Sequence, residues 1–401
     1  MEIKRDAYLE QLKIRKDNGM IKIITGIRRC GKSFLLFVLF KNYLLENGVD
    51  NEHIIEIALD GIENEELRDP KKCYQYIKDA MKDEQRYYLI LDEVQFMPRF
   101  EEVLNSLLRI SNIDVYVTGS NAKMLSSEIA TTLGGRFLIH EVYPYSFREF
   151  LLSQDIILKT NWLYTPSLRN EVVRTFDAYF YNGGFPELIA FKDKRSWLSG
   201  LYQKIFFGDL VARYALRNSD SMSLLVKKLA ESVMQPSSYN RLKNIVSSAG
   251  ESVGVRTVID YVGYLEETWL IFSIENYAAR FAERESNRKY YFIDNGILNL
   301  FIFNPETLLL ENLVAVSLYR MVGKELYFYI PDQKWLVQVS YNISDTQIFT
   351  REVNGLLKTA KFLKAEKLQI VTRNEERTVE QDGFTIEVIP IWKWMIMLEN
   401  K

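Results

Sequence analysis

Eight consecutive residues, Gly26-Ile27-Arg28-Arg29-Cys30-Gly31-Lys32-Ser33, have the spacing G-x-x-x-x-G-K-[ST]. Glycines so placed let a backbone curl until its N–H groups point at one anion, and a helix that begins there adds its positive end. Lys32 would neutralise the β- and γ-phosphates of a nucleoside triphosphate, and the Ser33 hydroxyl would hold Mg²⁺. Ile27, Arg28, Arg29, Cys30 and the following Phe34 complete the stretch expected to border the phosphates of ATP. Cys30 reads as a small filler of the loop rather than a redox sensor. Further along, Tyr87-Tyr88-Leu89-Ile90-Leu91-Asp92-Glu93 is an apolar run ending in two acids. Asp92 would hold Mg²⁺ through water, and Glu93 would orient and polarise an attacking water.

Two more segments could complete the chemistry. In Val117-Thr118-Gly119-Ser120-Asn121 a polar side chain would stand beside the γ-phosphate. Asn121 is the first choice and Thr118 the second, while a helix N-cap is an equal alternative for Asn121. Gly134-Gly135-Arg136 leaves an arginine on a flexible turn, which suits an arginine finger acting on a neighbouring subunit.

These residues need a scaffold that gathers strand ends. The first part of the chain alternates short apolar strands, predicted at 20–25, 53–59, 87–91, 114–118 and 137–142, with helices at 31–46, 70–82, 99–110 and 122–129. That rhythm implies a parallel α/β sheet with ligands at its carboxyl edge. After Pro144 the pattern turns helical through 233, with breaks expected at Asn182-Gly183-Gly184 and at Gly208. Helix, turn and helix follow, then two strands around a charged hairpin at 280–289. The last part reads as a helix at 306–322, strands at 326–330 and 334–341, a helix at 350–365, a strand at 367–372 and a hairpin turning at Asp382-Gly383.

Composition narrows the classes. With 401 residues, 47% hydrophobic and 26% charged, the chain has material for two or three domains. A formal net charge of −2 gives no bulk attraction to nucleic acid. The 2 cysteines and 2 histidines lack metal-ligand spacing, which argues against zinc. The longest apolar run, 34–40, falls short of a membrane span, and the charged start is no signal peptide, so a cytoplasmic protein is expected.

The motifs together resemble AAA+ ATPases. More narrowly, they resemble a bacterial and archaeal branch written G-[IV]-R-R-x-G-K-[ST], h-h-h-D-E-[VI]-Q, T-G-S-[NS] and G-R-[FY] followed by P-x-S-F-x-E-[FL]. Here these fall at 26–33, 89–95, 118–121, 135–137 and 144–150. Beyond them, Gly183-Gly184-Phe185-Pro186-Glu187 and Gly208-Asp209-Leu210-Val211-Ala212-Arg213-Tyr214 look like that branch's helical lid. Tyr290-Tyr291-Phe292-Ile293-Asp294-Asn295-Gly296 is similar to its entry into a domain of unknown function of the DUF4143 type. The resemblance implies ATPase activity, an AAA+ domain over 1–155, a helical lid plus winged-helix segment over 156–300, and a restriction-endonuclease-like α/β domain over 301–401. The last domain departs from the pattern. No Glu-Val-Asp stretch is present, the later strand reads Gln338-Val339-Ser340 where an E-x-K strand would stand, and Glu311 is left alone, with Asp332 expected in solvent. The expectation is a nuclease fold without its chemistry.

Segments 238–249 and 255–268 look like helix-turn-helix. The second carries Arg256 against Asp260, Glu266 and Glu267, a poor sign for a phosphate-lined groove. The basic residues of the following hairpin, Arg280, Arg284, Arg288 and Lys289, suit a nucleic-acid backbone or a protein surface equally. The leading expectation is an ATP-hydrolysing switch or motor acting on an unknown protein or DNA-bound partner, with homo-oligomers possible. Competing readings are an ATP-regulated nuclease, a P-loop phosphotransferase and a non-hydrolysing nucleotide-gated scaffold.

Overall fold

The structure is a computed structural model that describes residues 3–120, 131–216, 218–248, 253–280, 284, 287–327, 329–330 and 333–399. It forms two compact units. One runs to Pro144 and takes in Glu267–Trp269; the other holds Tyr145–Glu266 and the chain from Leu270 onward.

The first unit is built on five parallel strands: β1 Ile21–Thr25, β2 Ile54–Ala58, β3 Tyr87–Asp92, β4 Ile113–Gly119 and β5 Phe137–Glu141. Their order is β2-β3-β4-β1-β5, which puts β1 between β4 and β5. Every residue of β1, β3 and β4 is buried, as expected for a sheet covered on both faces. All five predicted strands form, within about a residue of their expected ends. One buried residue of β1 is charged. Lys22 has no exposed surface and meets Asp114 Oδ1 at 2.5 Å. The other oxygen of Asp114 accepts the Tyr116 hydroxyl at 2.8 Å and the Asp17 N–H at 2.9 Å. A buried ion pair persists only when its remaining lone pairs are satisfied in this way. Beside it, burial and the charges of Arg15 and Lys22 hold the His140 imidazole down at about 4, so it is neutral at pH 7.

After β1 a continuous helix, α2, starts as Lys32–Phe34, widens into π turns over Leu35–Phe40 and closes as Lys41–Glu46. A shorter helix, α1, covers Asp6–Ile14 ahead of the sheet.

In the second unit the helix Pro166–Asn182 stops at Gly183, as expected, but Gly208 breaks nothing. The chain stays helical from Lys194 through Ala212 by widening to π turns over Lys204–Ala212. Helices Tyr239–Ser248 and Val255–Glu267 accompany a three-stranded sheet in the order β6-β8-β7, made of β6 Ser237–Ser238, β7 Ile271–Ile274 and β8 Asn287–Phe292. A four-stranded sheet, β11-β12-β10-β9, holds β9 Trp335–Val339, β10 Lys367–Thr372, β11 Arg377–Gln381 and β12 Phe384–Pro390.

One expectation for this part fails, and one element was not expected. Only isolated bridges, Glu275 to Tyr327 and Ile330 to Trp335, stand among the described residues of the strand expected at 326–330. A final helix, Ile391–Leu398, also follows β12. Its run of apolar residues has no polar face from which a helical period could be read.

The motifs at 183–187 and 290–296 meet in one buried polar network. Asp294 accepts the Gly184 N–H and the Gly296 N–H, each at 2.8 Å. Asn295 Nδ2 donates to Phe180 O and Leu309 O, and Asn312 pairs with both backbone groups of Phe292. These residues are structural: each side chain closes backbone groups that burial would otherwise leave unpaired. Burial pushes the Asp294 carboxyl up to about 6, against the backbone N–H donors of Gly184, Gly296 and Ile297 that favour its charge. That carboxyl therefore favours the folded unit most below its unfolded value near pH 4, and the favour fades as pH rises through about 6.

Gly183 shows how tight the network is. Its φ of 76° and ψ of −164° belong to glycine alone, and a Cβ there would lie 1.9 Å from Asp294 Oδ1. We expect Gly183→Ala to lower the stability of this unit by about 2–4 kcal/mol, from backbone strain and overpacking together. Urea denaturation followed by tryptophan fluorescence reads this directly, and an unchanged midpoint would contradict it.

Candidate functional site

The carboxyl edge of the five-stranded sheet is where three motif segments meet. β1 ends at Thr25 and the chain turns at Gly26, whose φ is 147°. A Cβ at Gly26 would sit 2.0 Å from Val142 O, so the loop passes β5 at a distance only glycine permits. Gly31, with φ 100° and ψ 22°, then turns the chain into α2. Lys32 is 4% exposed, and its Nζ donates to Gly26 O at 3.0 Å and Ile27 O at 3.2 Å. The lysine thus closes the loop around its own first carbonyls. Ile27 and Cys30 are buried, Arg28 is half-buried, and Arg29, Ser33 and Phe34 are exposed. Burial pushes the Cys30 thiol up, so the sulfur stays protonated and packs as a small apolar group.

Asp92, at the end of β3, is 6% exposed and accepts hydrogen bonds from the Thr118 and Ser33 hydroxyls. Burial is the strongest influence on its carboxyl and pushes it up. The Thr118 and Ser33 hydroxyls pull it down, Glu93 pushes it up, and Lys32 pulls it down. A cation placed here would relieve that desolvation. The Ser33 hydroxyl and the Asp92 carboxylate are in hydrogen-bond contact, so these two hard oxygen donors can share one Mg²⁺. Among the described residues no group of three or more His, Cys, Asp or Glu could hold a metal. An ion here would complete its shell with water and phosphate oxygens, as Mg²⁺ prefers.

Glu93 adopts left-handed backbone angles, φ 52° and ψ 49°. Such an outlier in a non-glycine residue marks a place where the surroundings overrule local preference. The surroundings are visible. Its N–H donates to Thr118 Oγ1 at 3.0 Å, so the Thr118 hydroxyl ties the ends of β3 and β4 together. Its carboxylate Oε2 accepts from Gln95 Nε2 and lies 3.3 Å from Ser120 Oγ. The Gln95 amide oxygen is buried with no hydrogen-bond partner among the described residues. Gln95 and Ser120 are two residues that sequence reasoning missed. The Asp-Glu-Val-Gln spacing was visible, but not that a tight turn at 94–96 brings the amide back to Glu93. A third omission is Trp269, whose indole N–H donates to Thr25 Oγ1 at 3.1 Å across 244 residues of sequence.

Asn121, together with the helix expected at 122–129, lies outside the described residues. Arg136 is described and stands elsewhere. Ile21 N–H bonds to Arg136 O at 3.1 Å, and Phe137 is opposite Ile21 in register. Arg136 therefore occupies the amino edge of the sheet, roughly 20 Å along the strand direction from the phosphate loop. Its guanidinium reaches Asn105 Oδ1 at 3.1 Å. It does not join the site of its own chain.

Several known proteins are similar to this chain. Residues 18–151 match the family described as "AAA domain", and residues 173–307 match a domain of unknown function, DUF8612. An uncharacterized protein of Haemophilus influenzae is 30% identical, with 98% of each chain covered. The chain belongs to that protein's family, and it carries an AAA domain over residues 18–151. An uncharacterized protein of Methanocaldococcus jannaschii is 29% identical over 99% of this chain and 93% of its own. Among solved structures, a Walker-type ATPase of Pyrococcus abyssi is similar over 74% of this chain and 95% of its own, with 14% identity and a TM-score of 0.47. The Aeropyrum pernix ORC1 protein in complex with DNA is similar over 78% of this chain and 93% of its own, with 15% identity and a TM-score of 0.31. The AAA domain ends near Glu149–Leu151, close to the Pro144 boundary of the first unit. Among the described residues no helix is long and apolar enough to cross a membrane.

Proposed function

We propose that this chain is a Mg²⁺-dependent ATPase that works as a switch or motor on a partner protein. The observation that carries the reading is the meeting of Lys32, Ser33, Asp92, Glu93 and Thr118 at the carboxyl edge of one parallel sheet. The backbone of 26–33 binds the phosphates, and Lys32 turns its ammonium to the β- and γ-oxygens. Ser33 and Asp92 would hold Mg²⁺, which when bound neutralises charge on the β- and γ-phosphates. Glu93 polarises the attacking water, and Thr118 fixes the ends of the strands that place that water. Phosphate release from ATP by the purified chain, with Mg²⁺ and with EDTA, tests this. Turnover that needs Mg²⁺ is expected, and its absence would contradict the reading.

Arg136, at the far edge of its own sheet, is assigned to the site of a neighbouring copy. Subunits carrying Arg136→Ala and subunits carrying Lys32→Ala should each be inactive alone. Mixed assemblies should recover part of the ATPase, because some interfaces then hold an intact loop facing an intact arginine. No recovery in verified mixed oligomers would remove Arg136 from the mechanism.

The remainder is read as a lid and winged-helix part, 156–300, and a restriction-endonuclease-like part without nuclease chemistry, 301–401. Its charges favour a protein partner over DNA. Arg256 pairs with Asp260 at 3.2 Å, Arg288 with Glu275 at 3.0 Å and Lys289 with Glu311 at 3.3 Å, so the basic groups are already engaged. Glu311 also accepts the Tyr291 hydroxyl at 3.0 Å, and Gln338 donates to Glu352 at 2.7 Å. The carboxylates here are occupied by side-chain partners rather than gathered around a common point.

A further inference from the structure

Arg5 stands just ahead of α1 and has left-handed backbone angles, φ 47° and ψ 46°. It is only 3% exposed. One arm of its guanidinium, Nη1, donates to Cys30 O at 2.7 Å, and the other, Nη2, donates to Tyr143 O at 2.7 Å. The group also lies 4.4 Å from the centre of the Tyr8 ring. The Tyr8 hydroxyl in turn accepts the Tyr143 N–H at 3.3 Å. A single side chain thus joins three separate segments: the start of the chain, the phosphate loop and the exit of β5.

Cys30 O belongs to the peptide group that links Cys30 to Gly31. In a trans peptide the carbonyl and the following N–H point in opposite directions. Drawing Cys30 O toward Arg5 therefore turns the Gly31 N–H away from Arg5. Gly31 directly precedes Lys32 and has φ 100°, so its backbone is free to rotate unless something holds it. We propose that Arg5 is a positioning residue of the nucleotide site, holding the Cys30–Gly31 peptide so that the Gly31 N–H faces bound phosphate. This rests on the reading of 26–33 as a nucleotide-binding loop. Two carbonyls on different segments demand two diverging donors in a fixed fork, which arginine has and lysine lacks. The strained backbone of Arg5 is the local cost of reaching both. A plain structural brace would act on folding alone, whereas a positioning residue acts on phosphate affinity in the folded protein.

The test is titration calorimetry of the full chain with Mg²⁺ and a slowly hydrolysed ATP analogue, comparing wild type, Arg5→Lys and Arg5→Ala. Each variant is measured well below its own melting midpoint, so that nearly every molecule is folded. Two charge-assisted hydrogen bonds are lost in Arg5→Ala, so its Kd should rise about tenfold or more, with Arg5→Lys between the two. In steady-state assays KM should rise by a larger factor than kcat falls. Wild-type affinity in folded Arg5→Ala overturns the inference. If that variant does not fold, wild-type affinity in Arg5→Lys overturns it instead. A wild-type chain that binds no analogue is a different result: it removes the nucleotide reading itself, and this inference with it.

Discussion

Glu93→Gln is expected to bind ATP as the wild type does and to turn it over about a hundredfold to ten-thousandfold more slowly. The substitution keeps size and shape, so the turn at 94–96 can persist. The Ser120 hydroxyl and the Gln95 amide can still bond the new side chain after an amide flip, since each is both a donor and an acceptor. What disappears is the negative charge that polarises the attacking water. The phosphate grip, made by the 26–33 backbone and Lys32, is untouched. Calorimetry and phosphate release measured on the same preparation separate the two effects. A loss of affinity that matches the loss of turnover would show that Glu93 shapes the binding site rather than the chemistry.

Lys32→Ala should do the reverse and abolish measurable nucleotide binding, a loss of about a hundredfold or more. Charge-assisted hydrogen bonds to phosphate are worth roughly 1.5–3 kcal/mol each, and Lys32 would make at least one in a buried setting. The variant also loses the bonds to Gly26 O and Ile27 O that close the loop. The melting midpoint should therefore fall as well, even without nucleotide. Wild-type affinity in Lys32→Ala would mean that nucleotide binds somewhere else.

Much of the first unit was legible in the sequence because local signals and tertiary demands agree there. Apolar runs bounded by turn residues became the strands of a sheet covered on both faces, and the glycine spacing became the loop. Lys22 shows where such reading stops. Alternation alone counts it as a solvated residue, and only its long-range partner Asp114 explains why it is fully buried. Arg5, Gln95, Ser120 and Trp269 escaped for the same reason. Their roles depend on partners brought close by the fold, and ordinary residues carry no mark of that in the sequence. In the second unit Gly208 misled, because a π-widened helix absorbs a glycine that an ordinary turn signal would make a break. The motif at 290–296 was visible, but its meaning was not: Asp294 and Asn295 close buried backbone groups.

One site at the carboxyl edge of the five-stranded sheet is proposed to bind ATP together with Mg²⁺. The most direct measurement is titration of the wild-type chain and of Asp92→Asn with a non-hydrolysable ATP analogue, each in Mg²⁺ and in EDTA. Saturable binding of one nucleotide per wild-type chain, tighter with Mg²⁺ than with EDTA, is expected. Asp92→Asn should remove most of that difference, because the carboxylate paired with Ser33 and Thr118 is the group that would hold the ion. No saturable binding, or wild-type affinity that is the same with Mg²⁺ and with EDTA, would contradict it.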